Sequence, residues 1–286
     1  LYADVSRRLV ATFARTLERL ERSGVRTLIV DVTGNGGGSS LADALARELS
    51  PLPLRSSPVG LIRHPHSLRS LVQQESLLSR ELARPDLAEP HRALLETARA
   101  RIAATIREVE TPCDLTPLWR GERVECRQLV TDGMHSTGVL SYAAPQELEG
   151  LDVAPSLFFP LSYGYREGAF TGTLLVALDH GSASATELFA ALLRDNGAAT
   201  LVGERSYGAG CGYTNGGVRL ELASVGMTLR APDCARLRAS GENERAGLAP
   251  DLPLEWERED RAGRARMALA AAAARAQASR PTPPRP

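Results

Sequence analysis

Two apolar runs, each emptying into a loop of small residues and then into a helix, constrain this 286-residue chain more than any other feature. The first, Val25-Arg26-Thr27-Leu28-Ile29-Val30-Asp31, stops at Thr33-Gly34-Asn35-Gly36-Gly37-Gly38-Ser39-Ser40. A helix follows, with Leu41, Leu45 and Leu49 on one face. The second run, Thr173 to Leu178, turns through Asp179–Ser182 into a helix over residues 184–194, and Ala199 to Gly203 reads as a third strand. Short continuous apolar runs bounded by glycine are what strands covered on both faces look like, and helices between them make the sheet parallel. The predicted class is α/β.

The remaining periodicities fill in around that unit. Residues 4–22 place Val5, Leu9, Val10, Phe13, Leu17 and Leu20 on one helical stripe that ends at Ser23-Gly24. Residues 59–62 read as a short strand, and residues 68–110 as helix broken near Pro85 and Pro90, with Leu94, Ala98, Ile102 and Ile106 inward. Residues 218–230 predict a hairpin turning near Ser224–Gly226. Prolines at 250 and 253 admit only an edge strand there. The expected organisation is one domain over residues 1–256, with 111–168 as an irregular, lid-like insertion. Residues 257–286 then form an Ala/Arg helix and a frayed Pro-rich tail.

Charge narrows the function classes. The 34 basic residues balance the 34 acidic ones, so no overall field draws nucleic acid or an anionic membrane, and no run of about 20 apolar residues spans a bilayer. Every basic residue other than histidine is arginine. Schiff-base chemistry, a P-loop lysine and a Ser–Lys dyad are therefore outside this chain's reach. The sequence opens on Leu1 in a helical pattern with no signal-like segment, so its natural start is expected to be missing or processed. Cys113 with Cys126 and Cys211 with Cys234 invite pairing across two irregular segments; four cysteines allow three connectivities, and free thiols or a catalytic Cys211 are the alternatives. Paired cysteines would place the chain in an oxidising, extracytoplasmic compartment, periplasmic or secreted.

The chemistry-bearing segment is Gly181-Ser182-Ala183-Ser184-Ala185-Thr186-Glu187. A serine between a buried strand and a helix N-terminus projects out of the sheet beside the unpaired amides of the first helical turn, which can hold an oxyanion. The plainer reading is a capping box, Ser184-x-x-Glu187. The triple-glycine loop is not a dinucleotide fingerprint, because Ser39 stands where that pattern needs glycine. As the second wall of an oxyanion hole, Gly37 and Gly38 make better sense.

Four ordered segments carry a resemblance: residues 30–38, residues 181–189, residues 195–205 and Gly247-Leu248-Ala249-Pro250-Asp251. Together they resemble the tail-specific (C-terminal processing) proteases, serine peptidase family S41. The resemblance implies a crotonase-like α/β fold of repeated β-β-α units, a peptide or protein substrate, Ser184 as nucleophile, and Gly37, Gly38 and Ala185 as oxyanion donors. It also implies serine-type endopeptidase chemistry through an acyl-enzyme with no metal or organic cofactor. The processing branch uses a lysine in a G-K-G setting, which here is Gly208-Ala209-Gly210. The chain is thus more similar to the tricorn-like branch, in which Glu244 matches the acid of a Ser-His-Glu set and the histidine falls upstream of Leu1.

Among the chain's own histidines, His64 and His66 are the leading candidates for a general base, ahead of His180 and His135, with His91 a surface residue. Tyr207 and Tyr213 flank the long Gly-rich loop as candidate substrate-binding residues, and Arg230 and Arg236 as receivers of a peptide carboxylate. The same cleft in a non-catalytic, peptide- or small-ligand-binding protein is the alternative function, and a homo-oligomer is possible.

Overall fold

The computed structural model describes residues 2–111, 113–213, 217–256 and 260–278. Its first half runs α1 (Tyr2–Arg22), β1 (Thr27–Asp31), α2 (Leu41–Glu48), β2 (Val59–Ile62), α3 (Leu68–Leu82), α4 (Glu89–Glu110), β3 (Leu129–Val130) and α5 (Ala154–Leu157). The second half runs β4 (Thr173–Leu178), α6 (Ala185–Asp195), β5 (Thr200–Gly203), β6 (Val218–Leu222), β7 (Met227–Ala231), β8 (Cys234–Arg236), β9 (Leu252–Pro253) and α7 (Arg261–Ala278).

A parallel sheet in the order β1-β4-β5-β9 carries the fold. Strand β4 alternates its side chains between two cores, as a strand covered on both faces must. Leu174, Val176 and Leu178 pack with Leu17, Leu49, Phe189 and Leu193 of the helical layer. Leu175 and Ala177 pack with Val202, Trp256 and Ala268, so α7 covers the opposite face. Strand β9 is at the sheet edge, where the missing amide of Pro253 costs no ladder bond. Strand β1 occupies the other edge among the described residues and is only half-buried.

A second core lies under the antiparallel sheet β3-β2-β8 and the hairpin of helices α3 and α4. The stretch 111–168 holds only short elements, yet Val139, Leu148, Leu151, Val153, Leu157 and Phe158 are buried in that core. It is therefore packed into the molecule and is not a detached lid. The strands β6 and β7 pair as an antiparallel hairpin. The disulfides Cys113–Cys126 and Cys211–Cys234 both form, with Cα separations of 5.8 and 5.6 Å, so Cys211 is no free nucleophile. The Pro-rich residues 279–286 lie outside the described residues.

One helical face differs from expectation. In α1, Ser6, Val10, Ala14 and Leu17 are buried, whereas Val5 and Leu9 are more than half exposed (56% and 51%). In α4 the buried residues are Leu95, Ala98, Ile102, Thr105 and Val109, so the expected Ala98 and Ile102 face inward, and the expected Leu94 and Ile106 flank them, partly buried against the same core. The apolar stripe of α1 is wider than the face its neighbours cover, so its outer members stay in solvent. The buried Arg47 was also hidden in an arginine-rich sequence. It bonds Asp43 at 2.7 Å and the Leu54 carbonyl at 2.5 Å and lies 4.6 Å over the Phe158 ring.

The end of α6 is held by Asp195, which accepts two guanidinium bonds from Arg238 and the Ala239 N–H. Burial opposes ionisation of this carboxyl, but the Arg238 and Ala239 bonds outweigh it and hold the pKa below the ordinary 3.8. An acid whose pKa is lowered in the folded state stabilises above its unfolded value and loses that contribution as pH falls through the folded one. Asp195→Asn is therefore expected to lower the unfolding temperature at pH 6 and to narrow the gap to wild type as pH drops below about 3.8. Thermal melts across that range check it, and a gap that widens on acidification would refute it.

Candidate active site

The C-terminal ends of β1 and β4 lie side by side in parallel register, and the loops that leave them are latched together. The Ser182 hydroxyl donates to the Val32 carbonyl at 2.8 Å, and the Ala183 N–H donates to the Asn35 carbonyl at 3.0 Å. The Asp179 carboxylate accepts from both Gly34 and Gly181 N–H, at 2.8 and 2.9 Å. Ser182 is thus consumed in holding the loops, which leaves Ser184 as the partly accessible hydroxyl of the pair.

Ser184 sits at the N-cap of α6 with φ 57° and ψ −116°, the one non-glycine residue among those described with positive φ. This conformation costs roughly 1–3 kcal/mol and persists only where the surroundings impose it. The surroundings are specific. Glu187 accepts from the Ser184 N–H at 2.9 Å, and Arg236 donates to the Ser184 carbonyl at 2.9 Å. Ala185, the first residue of the helix, has an N–H that the helix itself leaves unpaired.

Gly37 closes the other side. A Cβ on Gly37 would stand 2.5 Å from the Ala183 carbonyl oxygen, 2.7 Å from the Ala185 nitrogen and 2.8 Å from the Ser184 Cβ. The triple-glycine loop and the Ser184 turn therefore share one cleft. The Gly37 N–H is committed to the Asn35 side chain at 2.9 Å, so Gly37 supplies close approach more than a free donor, which leaves the donor role expected of this pair to the neighbouring Gly38 amide. Gly37→Ala, at φ +90° and against three backbone or Cβ atoms, is expected to splay this cleft. The expected loss of site reactivity is about 10²–10³-fold, the scale of one lost oxyanion donor, read as the rate of covalent labelling at Ser184. An unchanged rate would show that the loop is not part of the site.

Glu187 organises the floor. It accepts four hydrogen bonds: from Ser184 N–H, from Ser206 Oγ at 2.5 Å, from Gly208 N–H at 2.6 Å and from Ala209 N–H at 3.0 Å. The loop after β5 is thereby drawn beneath the serine, and Ala209 stands there with no side chain able to take a proton. The segment Gly247–Asp251 closes against the same loop, with Leu248 N–H on Ser206 Oγ at 2.7 Å.

Glu244 is 2% exposed and reaches Ser184 through Arg236 and not through an imidazole. Its pKa is raised by burial, against the lowering influence of Arg236, while the nearby Glu187 adds to the rise. Arg236 is the cation bonded to this buried acid, through Nε at 2.7 Å, and Arg238 adds a further favourable charge. His64 and His66 are engaged elsewhere. His66 Nε2 bonds Asp233 at 3.1 Å, and His64 Nδ1 accepts from the His66 N–H while lining a separate cavity with Cys113 and Leu118. His180 bonds Glu204 and His91 the Glu147 carbonyl, at 3.0 Å each. Tyr207 is exposed, but its N–H donates to the Ser182 carbonyl at 3.0 Å, beside the site; Tyr213 lies under the Arg230 guanidinium at the foot of the β6–β7 hairpin.

Residues 5–254 match the model of Peptidase family S41. The chain belongs to that family. No curated protein matches it in sequence. Among solved structures, mature CPAF complexed with lactacystin is similar with a TM-score of 0.55 at 18% identity, covering 85% of this chain and 42% of that one. Mature CPAF on its own gives the same TM-score at 19% identity, with the same 85% and 42% coverage. A photosystem II D1 C-terminal processing protease aligns at 15% identity and a TM-score of 0.37, over 86% of this chain and 39% of that one. This S41 chain thus spans about two fifths of the length of these three structures, and the likeness to CPAF is one of fold. No helix among the described residues is long and apolar enough to cross a membrane.

Proposed function

We propose that this S41 protein is a serine-type endopeptidase in which Ser184 attacks the scissile carbonyl of a peptide or protein substrate. The observation that carries the reading is the contact of Gly37 with Ser184 and the Ala185 amide across one cleft, with Ser184 held in a strained turn. The Ser184 Oγ–carbon bond forms as its proton passes to a histidine. The tetrahedral oxyanion is held by the Ala185 and Gly38 amides, each donor contributing about 3 kcal/mol by analogy with other serine hydrolases. Collapse expels the amine, which takes the proton, and leaves an acyl-enzyme; water then attacks the ester and releases the acid product and the serine. Glu244 acts as a positioning residue through Arg236. The fold is read as crotonase-like, and the two disulfides support an extracytoplasmic location.

A second reading, a peptide-binding member without catalysis, is supported by Ala209 and by the absence of any imidazole bonded to Ser184 among the described residues. The two separate in one experiment. A fluorophosphonate applied to the full natural polypeptide is expected to add one phosphonyl group at Ser184, located by peptide mass spectrometry, and to stop peptide hydrolysis. An unlabelled Ser184 in a folded protein that still binds peptides would establish the second reading instead.

A further inference from the structure

A cavity of about 250 Å³ opens beside the site, between β2, α3, residues 134–136, α6 and β8. Val59, Leu61 and Leu188 give it apolar walls, and Leu188 is one helical turn beyond Ser184. Three side chains that line it carry a buried polar atom with no hydrogen-bond partner: Gln74 Oε1, His135 Nδ1 and Ser136 Oγ. They come from α3 and from the loop after β3, so one distorted segment does not account for them. A stranded buried polar atom costs about 1–3 kcal/mol, and three around a single cavity are what a site built to hydrogen-bond a guest looks like.

The chemistry of the guest follows from the lining. No carboxylate lines the cavity, so a buried ammonium or guanidinium would lack a counter-ion. The one cation on the wall, Arg236, is already committed to Glu244 and to the Ser184 carbonyl, so an added carboxylate would compete with the contacts that hold the serine. Burial, and secondarily the Arg101 charge, push the His135 pKa below its ordinary 6.5, which leaves a neutral ring at neutral pH. Gln74 Oε1 needs a donor, whereas the Ser136 hydroxyl can give or take one.

We propose that this cavity is a specificity pocket for an uncharged amide- or hydroxyl-bearing side chain next to the scissile bond, with Gln74, His135 and Ser136 reading its polar end. The proposal rests on the peptidase reading above. Its test is peptide hydrolysis by the full natural polypeptide, using substrates that differ at the residues flanking the cleaved bond only by isosteric pairs: glutamine against methionine, threonine against valine, tyrosine against phenylalanine. The polar member of at least one pair is expected to be preferred by ~10-fold or more in kcat/KM, because a site with stranded polar groups rejects the analogue that cannot pair them. Gln74→Leu and Ser136→Ala, checked for folding by their thermal midpoints, are expected to shrink that preference by lowering kcat/KM for the polar substrate while the apolar one holds or gains. Labelling of Ser184 together with flat selectivity, or a preference unaltered in both variants, overturns the pocket and leaves the peptidase reading standing. No labelling and no hydrolysis overturns both.

Discussion

Ser184→Gly is expected to yield a protein that melts higher than wild type and has lost its chemistry. The φ of 57° and ψ of −116° at this residue lie in a region that glycine enters freely and that a side chain enters at a cost of roughly 1–3 kcal/mol. Removing the Cβ relieves that cost, while replacing a serine N-cap by glycine gives back only a few tenths of a kcal/mol. At about 2–4 °C per kcal/mol for a chain of this size, the midpoint should rise by several degrees. Ser184→Ala keeps the Cβ and the strain, so it should be no more stable than wild type. Both variants lack the hydroxyl, and removal of a nucleophile in a serine hydrolase lowers kcat by roughly 10⁶-fold. Calorimetry and peptide hydrolysis on the three proteins side by side provide the check. A glycine variant no more stable than the alanine one would mean that the turn is unstrained. Hydrolysis surviving in either would move the nucleophile elsewhere.

The same residue shows how far a sequence of this kind can be read. The strand–loop–helix units were legible because each is local. Five successive apolar residues of β4 declare burial on both faces, glycines mark where the chain must turn, and Ser184-x-x-Glu187 announces a helix start. What joins the units is not local. Glu187 reads as the third residue of a capping box, yet three of its four bonds go to residues 19 to 22 positions further on. Only the structure shows that a capping carboxylate also anchors the loop carrying Ala209. Arg236 was visible as one arginine among many, and its double engagement of Glu244 and Ser184 depends on β8 pairing with β2, a contact between distant segments. His64 and His66 have the right residue type for a base and the wrong neighbours, since Asp233 captures one ring and the turn after β2 engages the other. No spacing in the sequence would have joined Gln74 to the adjacent pair His135 and Ser136.

Glu187→Gln should therefore be far more damaging than its near-isosteric appearance implies. Both carboxylate oxygens are acceptors: one takes Ser206 Oγ and Gly208 N–H, the other Ser184 N–H and Ala209 N–H. A glutamine offers a single oxygen. If its NH₂ faces the first pair, the Ser206 hydroxyl can rotate to accept, but the Gly208 N–H is stranded against another donor; if it faces the second pair, two backbone amides are stranded. The milder orientation still leaves one buried donor unpaired and removes the charge from the others, a loss of about 3–5 kcal/mol in all. The expected fall in midpoint is roughly 10 °C, accompanied by slower phosphonylation of Ser184, because the oxygen that accepts its N–H is no longer charged and the loop beneath it has lost its Gly208 anchor. Loss of the Glu187 charge also removes one of the influences that raise the Glu244 pKa, so that pKa should move down toward its ordinary 4.5. A raised acid pKa means stability lost as pH climbs through the folded value, so the variant's deficit should narrow on the alkaline side of that transition. Melting curves and labelling rates measured together decide the matter: a glutamine variant within about 2 °C of wild type that labels at the same rate would show that Glu187 does no more than cap its helix.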